Sequence, residues 1–288
     1  MIHNMKHPTV TPASGESALS ESNEADAPDN IRAIYDEIRK LSGVPMVALI
    51  FRHLATHPGV LEETWEAIGP LFRGGQIQET ASRIALSTVP RDLLPSIEEN
   101  ARNVLGLTGE DLAKIRNTLD AYNRANPVNQ LAMLSLAARI KSDAPTEALP
   151  PRRDWEPSPA IAGPLPQMTP PGEMAPPVRW LINDFGFGDR SRLNPVVPSL
   201  FRHLTSWPSY LATLHVTLLP RFRDGSLSKA MLELQQAMAR EVAPVAAYLP
   251  PLKRLAAIPD LVETISQFSN TTIPMMIVIG HAMRKSLT

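Results

Sequence analysis

The chain has 288 residues, with 28 Lys and Arg against 29 Asp and Glu, 43% hydrophobic residues, 29 prolines, 14 glycines and no cysteine. A net charge of -1, with no block of basic residues, argues against nucleic acid or an anionic membrane surface as a main partner, since both need an excess of positive charge. The lack of Cys rules out disulfides, thiolate nucleophiles and cysteine-based metal sites.

The opening residues, MIHNMKHPTV, carry charge and proline where a signal peptide needs an unbroken apolar run, so the sequence reads as cytoplasmic. Thr11 to Ala27 has hardly a bulky apolar side chain and cannot offset the entropy of ordering itself, so 1–28 reads as a disordered tail. Asp29 or Asn30 then caps a helix running to about Leu41. Met46 to Thr56 is apolar at helical spacing, Pro58 suits the first turn of the next helix, and Pro70 closes that helix. Ile77 to Thr88 follows. Ser96 to Leu105 stops before Gly106, and Thr108 with Asp111 forms a capping-box start for a helix to about Arg124. Asn126 reads as the N-cap of a further helix, Pro127 to Ser142. No segment shows period-two alternation with hairpin turn chemistry, so the fold class expected is all-α.

From Asp143 to Pro177 prolines recur so densely that the segment reads as a polyproline-like connector. Beyond it the chain repeats itself. At an offset of 150, residues 45–77 lie over 195–227 with 12 identities in 33 positions, among them Phe51/Phe201, Arg52/Arg202, His53/His203, Pro70/Pro220 and Gly75/Gly225. IRAIYDEI at 31–38 matches VRWLINDF at 178–185 after a three-residue insertion. The expected organisation is a tail (1–28), a first helical repeat (29–142), a connector (143–177) and a second repeat (178–288), the repeats packed about a pseudo-two-fold axis as in a homodimer. The junction between such halves is a natural place for a pocket. The apolar run Ile273 to Ile279 is far short of the ~20 residues that a membrane-spanning helix requires.

Few residues announce chemistry. His53 and His57 share a helical face as metal ligands can, but Trp207 stands at the second position in the other half, which favours a capping or core role. Asp184 and Asp189 are candidate general bases, set against readings as a helix-surface carboxylate matching Glu37 and as a loop or cap residue. Ser199 lacks the turn that exposes a nucleophilic serine. Asn126 would place an amide beside backbone N–H groups, where a water or carboxylate could be held.

The duplication, the connector, VPMVAL at 44–49, NPVN at 126–129 and PSLFRHLTSWPSYL at 198–211 together resemble the group I D,L-2-haloacid dehalogenase family over residues 29 to 287. The resemblance implies an all-α pseudo-dimer with its site between the halves, no metal or organic cofactor, and a small organic haloacid as partner, with a homodimer possible. It also implies hydrolysis with inversion, in which a buried Asp and an Asn hold one water that attacks C2 directly. Carried over by position, the water-holding Asn is Asn126. The pocket positions are Met46, Ala48, Leu49 and Asn129, where the family has Trp, Ala, Phe and Tyr, together with Met276. The Ser-Asp pair falls on Ser199 and Leu200, so the water-activating Asp is replaced by leucine. Two functions are therefore open: a hydrolase with another base, Asp184 or Asp189, or a non-catalytic member that binds a small apolar acid or has a structural role. Arg39, Arg52 and Arg202 are the cations that could hold a substrate carboxylate.

Overall fold

The computed structural model describes residues 24–149, 154–184 and 198–287, and among these it is helical without a strand. Six helices precede the connector: α1 (Asp29–Ser42), α2 (Leu49–Leu54), α3 (Val60–Arg73), α4 (Gln76–Thr88), α5 (Glu99–Val104) and α6 (Gly109–Ile140). Seven follow its start: α7 (Pro176–Asp184), α8 (Ser199–His203), α9 (Pro208–Arg223), α10 (Ser226–Ala247), α11 (Lys253–Ala256), α12 (Pro259–Gln267) and α13 (Ile273–Ser286). No described helix is long and apolar enough to cross a membrane.

Local chemistry accounts for most boundaries. α1 buries Ile31, Tyr35, Ile38 and Leu41, one stripe of a 3.6-residue period. It ends at Gly43, whose φ of 63° is costly for any residue with a Cβ. Its N-cap is Pro28, without a side-chain bond, rather than Asp29 or Asn30. Ordered structure already begins before residue 28, because Glu24–Asp26 form a short 3-10 turn, Glu24 pairs with Arg39, and Ala27 is buried. α6 starts with the capping box read from sequence: the Thr108 side chain accepts from the Asp111 N–H, and the Asp111 carboxylate accepts from the Thr108 N–H.

Two prolines do not act as the sequence suggests. Pro70 lies inside α3 and does not close it. The carbonyl it leaves without an N–H belongs to Glu66, an exposed residue that water can serve. Pro127 lies in the middle of α6, so Asn126 is an interior residue of a 32-residue helix and not an N-cap. Here the carbonyl left over is that of Asn123, which lies beside the ring of His281 on α13.

α13 lies antiparallel along α6. Asp120 pairs with Arg284 at 2.8 Å, Asn123 Nδ2 donates to the Gly280 carbonyl at 3.1 Å, and Gln130 Nε2 donates to the Ser269 carbonyl at 3.2 Å, so positions rising on one element fall on the other. Residues 268–272, just before α13, form a π-helical turn in which the Ile273 N–H bonds the Phe268 carbonyl. Pro274 has no N–H to give, so the next carbonyls need outside donors. Gln130 serves Ser269, and Gln235 Nε2 serves Asn270 at 2.7 Å. α4 and α10 pack on the flanks of α6, which makes this helix the spine of one continuous apolar core.

Positions paired by the 150-residue offset have like surroundings. Phe51 and Phe201 are fully buried, and Gly75 and Gly225 precede α4 and α10 at φ 76° and 79°. Glu37 on α1 accepts from Trp65 Nε1 at 2.7 Å and from Arg73 Nε at 2.6 Å. Asp184 on α7 bonds His215 Nε2 at 2.5 Å, the residue at the position matching Trp65. The proline-rich segment runs across both halves: Ile161 N–H to the Gly43 carbonyl, Arg124 to the Pro159 carbonyl, and Glu147 N–H to the Ala247 carbonyl. Trp155 lies so close over Gly75 that a Cβ there would stand 2.4 Å from its ring. α7 starts within that segment, at two prolines of a first turn where no N–H is required.

Candidate active site

The middle of α6 carries Tyr122, Asn123, Asn126, Asn129 and Gln130. Asn126, Asn129 and Gln130 are buried. α8 meets α6 with its first turn. Leu200 there is fully buried, with its Cδ2 3.9 Å from where a Cβ on Gly280 would sit. The same hypothetical Cβ would stand 2.4 Å from Asn123 Oδ1. Glycine at 280 is what lets the Asn123 amide lie against α13 beside Leu200.

Ser199 hydrogen-bonds the Tyr122 hydroxyl. Burial pushes that hydroxyl well above the ordinary tyrosine range, while the Ser199 bond and the charges of Arg52 and Arg202 pull it down. Tyr122 is nonetheless only partly buried by accessible surface, so this deep side chain borders open space. Its ring meets that of His203 at 5.8 Å with the planes tilted by 58°, and His203 bonds the Pro166 carbonyl of the connector. Burial lowers the His203 pKa, as does neighbouring Arg202.

The other positions named by the resemblance lie on α2, on α13 and in the segment before α2. Met46 packs with Ala121 and Ala125 of α6, next to Ile161 and Leu165 of the connector. Ala48 is the N-cap of α2 and Leu49 its first residue, both partly buried, and Met276 is buried on α13. Of the arginines, Arg52 and Arg202 act on Tyr122, whereas Arg39 pairs with Glu24 and Asp36. Asp184 bonds His215 and is matched to the structural carboxylate Glu37. Asp189 lies outside the described residues. His53 and His57 meet edge to face at 5.6 Å, and among the described residues no three His, Asp or Glu side chains gather as metal ligands.

No family model matches this chain. Over 122 residues it is 29% identical to a configuration-inverting 2-haloacid dehalogenase of Alcaligenes xylosoxydans xylosoxydans, a match covering 41% of this chain and 40% of that protein. The structure superposes on a D-2-haloacid dehalogenase mutant in complex with D-2-CPA with a TM-score of 0.73 at 17% identity, covering 98% of this chain and all of the other. D-2-haloacid dehalogenase with L-LA gives the same TM-score over 96% of this chain. The chain is thus similar over part of its sequence to a 2-haloacid dehalogenase. Its all-helical architecture is the fold of the D-2-haloacid dehalogenase structures.

Within that dehalogenase fold, sequence reasoning missed Tyr122, Asn123, Gly280 and His281. Tyr122 and Asn123 sit four and three residues before Asn126, one helical turn away. That signal becomes visible once α6 is read through Pro127.

Proposed function

We propose that this chain is a 2-haloacid dehalogenase-like protein that takes a small 2-substituted carboxylic acid at the junction of α2, α6, α8 and α13, and that its power to hydrolyse the carbon–halogen bond is crippled. In the reaction, water oxygen bonds to C2 as the halide departs with the bonding electrons. A base must take the proton that the water loses. The observation that carries the reading is Leu200: the position expected to hold the activating Asp is a fully buried leucine beside Gly280. General-base assistance is worth about 10² to 10⁴ in rate, and leucine supplies none. Asn126, buried on α6, is the residue proposed to orient the water. Asp184 is a poor substitute base, since His215 already holds it. Binding of a small apolar acid without turnover is the second reading, favoured by the apolar lining of Met46, Leu49, Leu200 and Met276.

Halide release from D- and L-2-chloropropionate by the wild type beside Leu200→Asp tests this, with thermal midpoints confirming that both are folded. A near-silent wild type and a variant faster by about 10² or more is the expected result. Turnover by the wild type at a rate that Leu200→Asp does not improve would sink the reading.

A further inference from the structure

We propose that connector residues 161–168 form a strap that lifts off α6 while the rest of the molecule stays folded, and that its lifting opens the way to the junction of α6 and α8. The inference rests on reading that junction as a ligand site, and it adds how the site is entered. The strap crosses from one half to the other and is tied at both ends. On the near side the Ile161 N–H donates to the Gly43 carbonyl at 3.1 Å, and Arg124 Nη1 donates to the Pro159 carbonyl at 2.6 Å. On the far side the Thr169 N–H donates to the Arg202 carbonyl at 3.4 Å, and the Thr169 and Thr205 hydroxyls share a hydrogen bond of 2.6 Å. Between these ties Ile161 and Leu165 pack on the cluster of Val44, Ala121 and Ala125, and His203 bonds the Pro166 carbonyl. Tyr122 follows Ala121 on α6 and its ring meets that of His203, so the residue that anchors the strap also touches the Tyr122 side of the junction.

The span between the ties is lightly held. Among the described residues, no backbone N–H from Ala162 to Met168 donates to another backbone carbonyl. Ala162, Gly163 and Pro164 are exposed, and Ile161 and Leu165 are only half-buried, so lifting returns little apolar surface to water. The Ala162 carbonyl, which accepts from Asn117 Nδ2 at 3.3 Å, and the Pro166 carbonyl can both be served by water once the strap is up. Gly163 sits in the middle at φ 77°, with open space where a Cβ would stand, and gives the span a swivel. Pro159 before it and Pro164 and Pro166 after it stiffen the two arms, so they swing rather than crumple. Segments with few buried apolar contacts open at a lower free energy than the core they cover.

The chain has no cysteine, so a single introduced thiol reports on one place. Ala125→Cys puts it under the strap, and Ala81→Cys puts it in the core on α4, where exposure requires global unfolding. Each is labelled with a disulfide reagent at urea concentrations below the unfolding transition. Ala125→Cys should react about 100-fold faster than Ala81→Cys or more, with a rate that urea hardly changes, because a local opening exposes little surface. Adding Leu165→Ala should speed labelling at Ala125→Cys about tenfold and leave Ala81→Cys nearly unchanged. If Ala125→Cys does not fold, Ala121→Cys in the same cluster carries the decision. Equal rates and equal urea dependence at the two thiols, or a Leu165→Ala effect of the same size at both, would overturn the strap. Sodium propionate, which cannot alkylate the thiol, should slow labelling under the strap by favouring the closed form. Fast, urea-independent labelling that propionate leaves unchanged keeps the local opening and counts against the junction as a ligand site.

Discussion

The ring of His281 on α13 lies beside the backbone carbonyl of Asn123 on α6, the carbonyl that Pro127 leaves without its helical N–H. A proline in the middle of a 32-residue helix would ordinarily cost about 3 kcal/mol or more through the lost bond and the clash. α6 nonetheless runs unbroken from Gly109 to Ile140.

Burial makes acid stability depend on His281, while the neighbouring Asn123 carbonyl acts in the opposite direction. Burial, then the charge of Lys285, lowers its pKa to about 4 from an ordinary 6.5. A folded-state pKa below the unfolded value means that the unfolded chain binds the proton more readily. The contribution is complete above pH 6.5 and is lost as pH falls toward 4. Wild-type stability should drop by about 2 kcal/mol more than that of His281→Gln between pH 7.5 and pH 5, read from urea unfolding at both pH values. Equal losses in the two proteins would refute the assignment.

Gly280→Ala places a methyl 2.4 Å from Asn123 Oδ1. Overpacking of this kind costs about 1 to 3 kcal/mol, and the expected loss in urea unfolding free energy is of that size. Asn123→Ala in the same chain removes the obstructing atom, so the double variant should lose less than the two single losses combined. Simple additivity would mean that the two side chains do not collide.

Gln130→Leu leaves the Ser269 carbonyl, buried beside the π turn, without its side-chain donor, at an expected cost of about 1 to 3 kcal/mol. Gln235→Leu removes the matching bond to Asn270, which is exposed, and water should replace it for less than about 0.5 kcal/mol. Chemical unfolding of both variants side by side checks the order. A larger loss at Gln235 would reverse the argument.

How far the sequence could be read depends on the range of the forces involved. The Thr108–Asp111 capping box, the apolar stripe of α1 and the left-handed glycines before α4 and α10 are set by neighbours within a few residues, and all are visible in the sequence. Asn126–Pro127 misleads because an asparagine before a proline has the same local chemistry at a helix start as inside a helix. What decides between them is the packing of α6 against helices from far along the chain, α13 above all. Leu200 lies at the other limit: its position was legible from resemblance, but its neighbours Gly280 and Asn123 come from helices whose pairing no local pattern reveals.

The antiparallel pairing of α6 with α13 has a consequence for how the protein is made. Asn123 leaves the ribosome 157 residues before the Gly280 carbonyl it will bond. Until then the polar middle of α6, with the Asn123 carbonyl unserved and Gln130 without its partner, has only water or chaperones to cover it. Contacts of such long sequence separation form slowly. A nascent chain halted anywhere before α13 therefore displays a stretch of helix that the finished molecule covers.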